Sequence, residues 1–325
     1  MQNLLIKIVI FTALLFGMDR LISLVLQAYR PVDYIGFIDA KQDYFLQEQQ
    51  FDMLLMGDSH ISDALDSRVL EEKCDMSVFN LGVYISSPYE SYHTLKYVLD
   101  NKASAPKVLV LGTNPVMFTL PIDAGKYTPL VVNDASFTLS LYTQADDPDY
   151  TTFFFKTAKE KYLAKALVNG LLGKAGKPYR EIEETYNGFM LIRNQIDGTK
   201  WDGVPQQYEK VNQSQVRYFG KLIELALDNE IQLFIVNPPL WWKQLAVVEK
   251  TKGFEEFHNI VDSVANKHSI PVHNLNHRFL EGELQFENYL NHEHLNYSGA
   301  SKYSPPIGEW IKQHLQEKNS ADVRN

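Results

Sequence analysis

Apolar runs recur along this chain, and each ends in Gly, Asn or Pro. FDMLLMGDSH at 51–60 is followed by SVFNLG at 77–82, KVLVLGTNP at 107–115, IQLFIVNPP at 231–239 and SIPVHNLN at 269–276. Short, continuously apolar runs bounded by turn residues read as strands buried on both faces. Between them, helical spacing of apolar positions predicts helices over 64–74, 87–100, 213–229 and 251–267, with Ser87 as a cap before Pro88. Strand alternating with helix predicts the α/β class, a parallel sheet covered on both faces, in which ligands bind beyond the carboxyl ends of the strands. Ser59, Gly82, Asn114 and Asn237 fall at those ends.

The rhythm breaks between 118 and 211, which holds an acidic loop (QADDPDY), an apolar helical candidate from Thr152 to Leu172, and an irregular stretch with DGTKWDG and several tyrosines. It reads as an insertion between the third and fourth strands, placed to wall or lid a site at the strand ends. Its aromatic residues suit either stacking on sugar rings or filling a small core of the insertion. Residues 317–325 read as a loose tail on a body spanning 45–316.

At the other end, the longest uncharged run, Ile8 to Met18, is too short to cross a bilayer, which needs about 20 residues. A single helix from Leu4 to Leu26 is long enough if Asp19 and Arg20 sit near an interface or pair with each other. Lys7 before the apolar run favours an uncleaved signal anchor over 1–28, which would place the body outside the cytoplasmic membrane, in the periplasm. The alternative is an amphipathic helix packed on the body.

Charge narrows the partners. A formal net charge of −9 and no Lys/Arg cluster with interleaved aromatics argue against nucleic acid. A single cysteine, Cys74, excludes an intrachain disulfide and, without a Cys/His cluster, argues against structural zinc. It lies in the helical pattern SRVLEEKC and reads as a packed thiol.

Ser59 ends the first strand in GDSH, where it is either a presented nucleophile or an ordinary helix cap. A nucleophile needs a base, and His294 stands out among nine histidines because NHEHLNYSGA at 291–300 is a polar loop leading into the last helical segment. In order along the chain come GDSH with Ser59, NLG with Gly82, GTNP with Asn114, and NHEHLNYSGA with His294. With these four blocks the chain resembles the SGNH (GDSL-like) hydrolases over roughly 51–116 and 213–316. The resemblance implies a flavodoxin-like three-layer α/β/α parallel sheet with an insertion between strands 3 and 4. It also implies Ser59 as nucleophile, His294 as base, and an oxyanion hole from the backbone N–H groups of Ser59 and Gly82 and the side-chain amide of Asn114. Independently of the family, a serine at a strand-to-helix turn has its hydroxyl beside free helix N–H groups that favour a developing anion.

One position departs from the family pattern. Where those hydrolases usually carry Asp three residues before the histidine, this chain has Asn291. Asn accepts from an imidazole N–H but lacks the charge, and in a Ser-His-Asp protease the same change costs about 10⁴ in turnover through the wrong tautomer. Asn291 therefore leaves a weakened dyad, or Glu287 or Glu293 substitutes, or catalysis is lost. Glu293 adjoins His294 and is expected to point away from it. Asp58, His60, His292 and Asn237 are expected to line the pocket. Asp58, His60, His292, Glu293 and His294 include enough N and O ligands for a divalent ion, but HxH in a loop is a weak signal, and the expectation is no metal and no cofactor.

The anchor, the insertion and the late HLNxxGA block resemble the envelope-associated branch of the superfamily, similar to proteins that accompany membrane-bound O-acyltransferases in alginate or teichoic-acid modification. That resemblance implies a membrane-tethered serine esterase or O-acyltransferase acting on an envelope glycan, with an acyl donor and a membrane-bound O-acyltransferase as partners. Two rivals stand beside it: a noncatalytic accessory module that keeps the fold, and a cytosolic esterase with 1–28 packed on the body.

Overall fold

The computed structural model describes residues 2–28, 41, 45, 50–83, 86–101, 105–122, 143, 168, 182–192, 208, 210–274 and 284–322. The five apolar runs become β1 (Met53–Met56), β2 (Val78–Asn80), β3 (Val108–Gly112), β6 (Gln232–Asn237) and β7 (Val272–Asn274), while β4 (Ile182–Tyr186) and β5 (Phe189–Ile192) form a separate antiparallel hairpin. The sheet runs β2-β1-β3-β6-β7 with every pairing parallel. All four residues of β1 are buried, because a parallel strand inside two helical layers has no solvent face. The order is flavodoxin-like, with its switch point between β1 and β3, so Ser59 and Asn114 follow the two strands that flank the expected crevice.

Helices cover both faces of this sheet, giving the three-layer α/β/α architecture. On one, α9 (Tyr297–Asp322) packs against α2 (Ser59–Ala64) and α3 (Ser67–Cys74); on the other, α4 (Pro88–Asn101) packs against α6 (Gln213–Asp228). In α6, Asn212 caps the start by accepting from Ser214 N–H, and Tyr218, Phe219, Leu222, Ile223 and Ala226 form the buried stripe at helical spacing. In α8 (Lys252–His268), Thr251 does the capping and Phe254, Phe257, Val261 and Ala265 the burying.

Three expectations change. The helix expected over 64–74 is broken, because the Asp66 carboxylate accepts from Arg68 N–H and starts α3 anew, while Asp66 N–H donates to Ser304 of α9. The tail expected from 317 is helical as far as Asp322, continuing α9. The insertion is divided: the chain forms two compact units, Met1–Ala40 with Ile122–Arg180, and Lys41–Pro121 with Glu181–Asn325. The helical candidate at Thr152–Leu172, the acidic loop and the DGTKWDG stretch lie outside the described residues.

In the first unit, α1 (Gln2–Ala28) has 27 residues and, at about 1.5 Å per residue, exceeds the ~30 Å hydrocarbon core of a bilayer. Leu4 to Leu26 has a mean hydropathy of 2.0 and is almost entirely uncovered, Leu4, Phe11 and Leu24 being 61%, 67% and 64% exposed. The helix is long and apolar enough to cross a membrane. Its charged pair meets, Arg20 Nε lying 4.0 Å from an Asp19 oxygen, and Asp19, Ser23 and Leu26 lie on one buried stripe.

Candidate active site

Two residues, Gly57 and Asp58, turn β1 into α2. Gly57 has φ +148°, a conformation that side chains rarely adopt, and a Cβ there would lie 2.9 Å from Ile61 Cγ1 and 3.0 Å from Gly112 O. Asp58 then performs the capping that makes a serine ambiguous in this context: its Oδ1 accepts from His60 N–H at 3.0 Å. Ser59 is left at the first helical position with its hydroxyl uncommitted to the backbone. Ser59 Oγ lies 2.7 Å from His294 Nε2 across 235 residues of sequence, and both are buried.

The other face of the His294 ring answers the question raised by Asn291. His294 Nδ1 lies 2.9 Å from Asn291 Oδ1, and the same oxygen accepts the backbone N–H groups of Glu293 and His294, both at 2.9 Å. Two backbone donors can only face an acceptor, so they determine which end of the amide meets the ring. With oxygen there, Nδ1 carries the proton and Nε2 presents its lone pair to Ser59. The tautomer that a general base needs is therefore imposed by a neutral side chain.

The loop that carries these residues closes on itself. Leu290 N–H donates to His294 O, Asn296 N–H to Asn288 O, and Tyr289 and Leu295 form an antiparallel bridge. Asn296 holds both ends, its Nδ2 donating to Glu287 O and its Oδ1 accepting from Gly299 N–H at the start of α9. Glu293 does not point away. Its Oε1 accepts from Tyr208 OH at 3.1 Å and faces Gln244 Nε2 at 3.4 Å, and a carboxylate oxygen lies within 4.8 Å of ring nitrogens of His60 and His294. It is nonetheless the Asn291 oxygen, not Glu293, that meets His294 Nδ1.

Two of the three expected oxyanion donors, those of Gly82 and Asn114, are engaged. Gly82 approaches closely, since a Cβ on it would lie 2.7 Å from Ser62 N, yet its own N–H donates to Asn80 Oδ1 at 2.9 Å. Asn114 caps α5 (Pro115–Thr119) by accepting from Met117 N–H, and its Nδ2 donates to Asp58 Oδ2 at 2.7 Å. The helix behind Ser59 has only six residues, so its dipole is a small source of stabilisation.

Of the expected pocket residues, His60 packs on His294. Its ring stacks on that of His294, with centroids 4.5 Å apart and planes at 21°, and its Nδ1 lies 2.9 Å from Asp58 Oδ2. Burial pulls its imidazolium down, but Asp58, by charge and hydrogen bond, with Glu293 and Asp63 behind it, outweighs burial and holds the pKa at about 8. Asn237 lies at the end of β6, accepting from Thr113 Oγ1 at 2.6 Å, with its Nδ2 buried and without a partner among the described residues. His292 tilts against Trp241, and its carbonyl accepts from Trp241 N–H.

His60, Glu293 and His294 are the group whose ligand atoms lie close enough to consider for a divalent ion. His294 Nε2 already faces the Ser59 hydroxyl, and His60 Nδ1 already meets Asp58 Oδ2. The donor set fits a proton-transfer pair better than a tetrahedral site.

Sequence reading overlooked Asn80 and Asn187. Asn80, the first residue of NLG, donates through Nδ2 to Ile61 O and Leu65 O, tying down the far end of the serine helix while its Oδ1 holds Gly82. Asn187 O accepts from Asn80 N–H and from Ser67 Oγ, which docks the β4–β5 hairpin on edge strand β2. The signal was partial: Asn187-Gly188 is a hairpin cue, both residues having positive φ, 41° and 80°, but only the run after it, FMLI, is apolar, while IEETY before it is polar. Buried Lys41 completes this corner, donating to Gly82 O, with burial lowering its pKa to about 7 against the opposing pull of Asp63.

No family model matches the chain, and no curated protein does. Among solved structures it is similar to a GDSL-like lipase from Bacteroides thetaiotaomicron, with TM-score 0.43, 10% identity, and 86% of this chain and 99% of that one covered. It is also similar to a protein described as an acylhydrolase from Bacteroides fragilis (TM-score 0.43, 9% identity, 85% and 94% covered) and to a protein described as lipolytic, of the G-D-S-L family, from Desulfitobacterium hafniense (0.39, 11%, 81% and 98%). At these scores the likenesses assign no role to any residue, which rests on the geometry above.

Proposed function

We propose that this chain is a serine esterase or O-acyltransferase, tethered by α1 to the cytoplasmic membrane with its main unit in the periplasm, that acts on a cell-envelope glycan. The observation that carries the chemistry is the relay from Asn291 Oδ1 through His294 to Ser59 Oγ, with both contacts under 3 Å. In this reading Ser59 Oγ attacks the acyl carbonyl as its proton passes to His294 Nε2. The carbonyl π pair moves onto oxygen, and when the tetrahedral intermediate collapses the leaving alkoxide takes that proton back. Water or a sugar hydroxyl then attacks the acyl-enzyme by the same route in reverse. Asn291 holds the tautomer and orients the imidazolium without a counter-charge, so turnover is expected to be slower than with a carboxylate there. The glycan acceptor and a membrane-bound O-acyltransferase partner belong to this proposal through the envelope resemblance and the exposed apolar α1.

Labelling by a fluorophosphonate tests the chemistry. The wild-type chain should label, and Ser59→Ala and His294→Ala should both abolish labelling; a folded wild type that stays silent sinks the enzymatic reading. That outcome would favour a noncatalytic accessory protein, for which the engaged Gly82 and Asn114 donors are the specific support. For the tether, an alkaline phosphatase fused after residue 40 should be active, and an inactive fusion would return the body to the cytosol.

A further inference from the structure

We propose that His60 is a catalytic residue: held as an imidazolium by Asp58, it donates its Nε2–H to the oxyanion that forms when Ser59 attacks. This rests on the acyl-transfer reading above and supplies the component that reading lacks. Two of the three donors expected for the oxyanion are hydrogen-bonded within the protein, Gly82 N–H to Asn80 and the Asn114 amide to Asp58. His60 Nε2 is the opposite case. It belongs to a side chain 4% exposed and has no partner among the described residues, a state that buried polar atoms avoid unless something outside the chain completes them.

Its surroundings fit a donor. Asp58 takes the Nδ1 side through Oδ2 and the backbone N–H of His60 through Oδ1, so the ring cannot turn to offer Nε2 to the carboxylate. The Asn114 amide nitrogen lies 3.2 Å from His60 Nδ1, and both nitrogens address the same Asp58 oxygen. The ring lies flat against His294, whose Nε2 faces the nucleophile, and so sits one van der Waals layer from the proton-transfer pair. The charged groups that bear on it are Asp58 and Asp63 on its own element and Glu293 and His294 on the facing loop. Three carboxylates thus offset two imidazoliums in the intermediate, where His294 has taken the serine proton. During attack the Ser59 Oγ–C bond forms, the π pair moves to oxygen, and that oxygen accepts the His60 Nε2–H without removing its proton.

The test uses the full-length chain in detergent with p-nitrophenyl acetate. His60→Leu should lower kcat about 10²- to 10³-fold with KM within a factor of three, as loss of one oxyanion donor does. Wild-type kcat should fall above about pH 8 as His60 loses its proton, and His60→Gln, a neutral donor, should remove that alkaline limb. A His60→Leu enzyme within threefold of wild type, or an alkaline limb retained in His60→Gln, overturns the proposal while leaving Ser59 and His294 in place. An unreactive wild type overturns the acyl-transfer reading and this one together. Should His60→Leu fail to fold, ¹⁵N titration of His60 in the wild type decides: protonation at Nε2 through neutral pH supports the role, and a ring already neutral at pH 6 sinks it.

Discussion

The serine turn at 57–60 and the histidine loop at 288–296 meet where Ser59 Oγ lies 2.7 Å from His294 Nε2 and the His60 ring stacks on that of His294, yet they are built in opposite ways. The histidine loop is held largely by local bonds: Asn291 and Asn296 bond to backbone no more than nine residues away and a two-residue bridge closes it, with Trp241 N–H and Tyr208 OH joining from outside. The serine turn is held by the rest of the sheet. Asn80 on β2 ties its helix, Asn114 after β3 meets its Asp58, and Gly57 leaves room for Ile61 against Gly112. A locally bonded loop can be altered with a mainly chemical effect, whereas a turn shared among three strands transmits any change into the fold.

Substitutions can break this contrast. The largest effect is expected for Ser59→Ala or His294→Ala, each lowering turnover by about 10⁴ or more, close to 5 kcal/mol of barrier, with little change in thermal stability. Asn291→Ala comes next: turnover about 10²- to 10³-fold lower, because Nδ1 loses the acceptor that sets the tautomer, while the denaturation midpoint moves far less than the activity. Asn291→Asp should reverse the sign and raise kcat, since a carboxylate keeps the acceptor and adds charge; a loss of activity there would show that the amide does more than accept. On the serine side the balance should shift to stability. Asn80→Ala strands Ile61 O, Leu65 O and Gly82 N–H, and should cost about 3 kcal/mol in urea unfolding. If Asn291→Ala proves the more destabilising of the two, the contrast fails.

The smallest effect is a pH dependence. His60 has its pKa raised from 6.5 to about 8 on folding, so its contribution to stability is fully present below pH 6.5 and is lost as pH rises through 8. The shift corresponds to about 2 kcal/mol. Urea midpoints measured between pH 6 and 9 should show that decline in the wild type and lose it in His60→Gln.

Much of this was legible residue by residue. β1, β3 and β6 follow the apolar runs because a strand buried on both faces must be apolar throughout, and helices α6 and α8 follow their caps and stripes. Ser59 and His294 were paired through the resemblance of their motifs, since position alone left Ser59 as either a nucleophile or a helix cap. The break at Asp66 was not legible, because the pattern over 64–74 suits one helix and only the packing of Ser304 against Asp66 N–H favours two. Glu293 was misread for a related reason: adjacent side chains diverge in a strand or helix, but a tight loop lets both face inward.

Local patterning by itself determined the α/β class and the strand ends on which the site stands, because those depend on burial period and turn chemistry within a few residues, while Ser59 and His294 were singled out by the resemblance of their motifs. Only the tertiary structure decided which way the Asn291 amide faces, which oxyanion donors are already engaged, and that His60 lies stacked on His294 with a nitrogen that has no partner among the described residues. These depend on hydrogen-bond partners fixed by the closure of a loop or by the register of strands far apart in the chain, and residue type states only what a group can bond, not which group will reach it first.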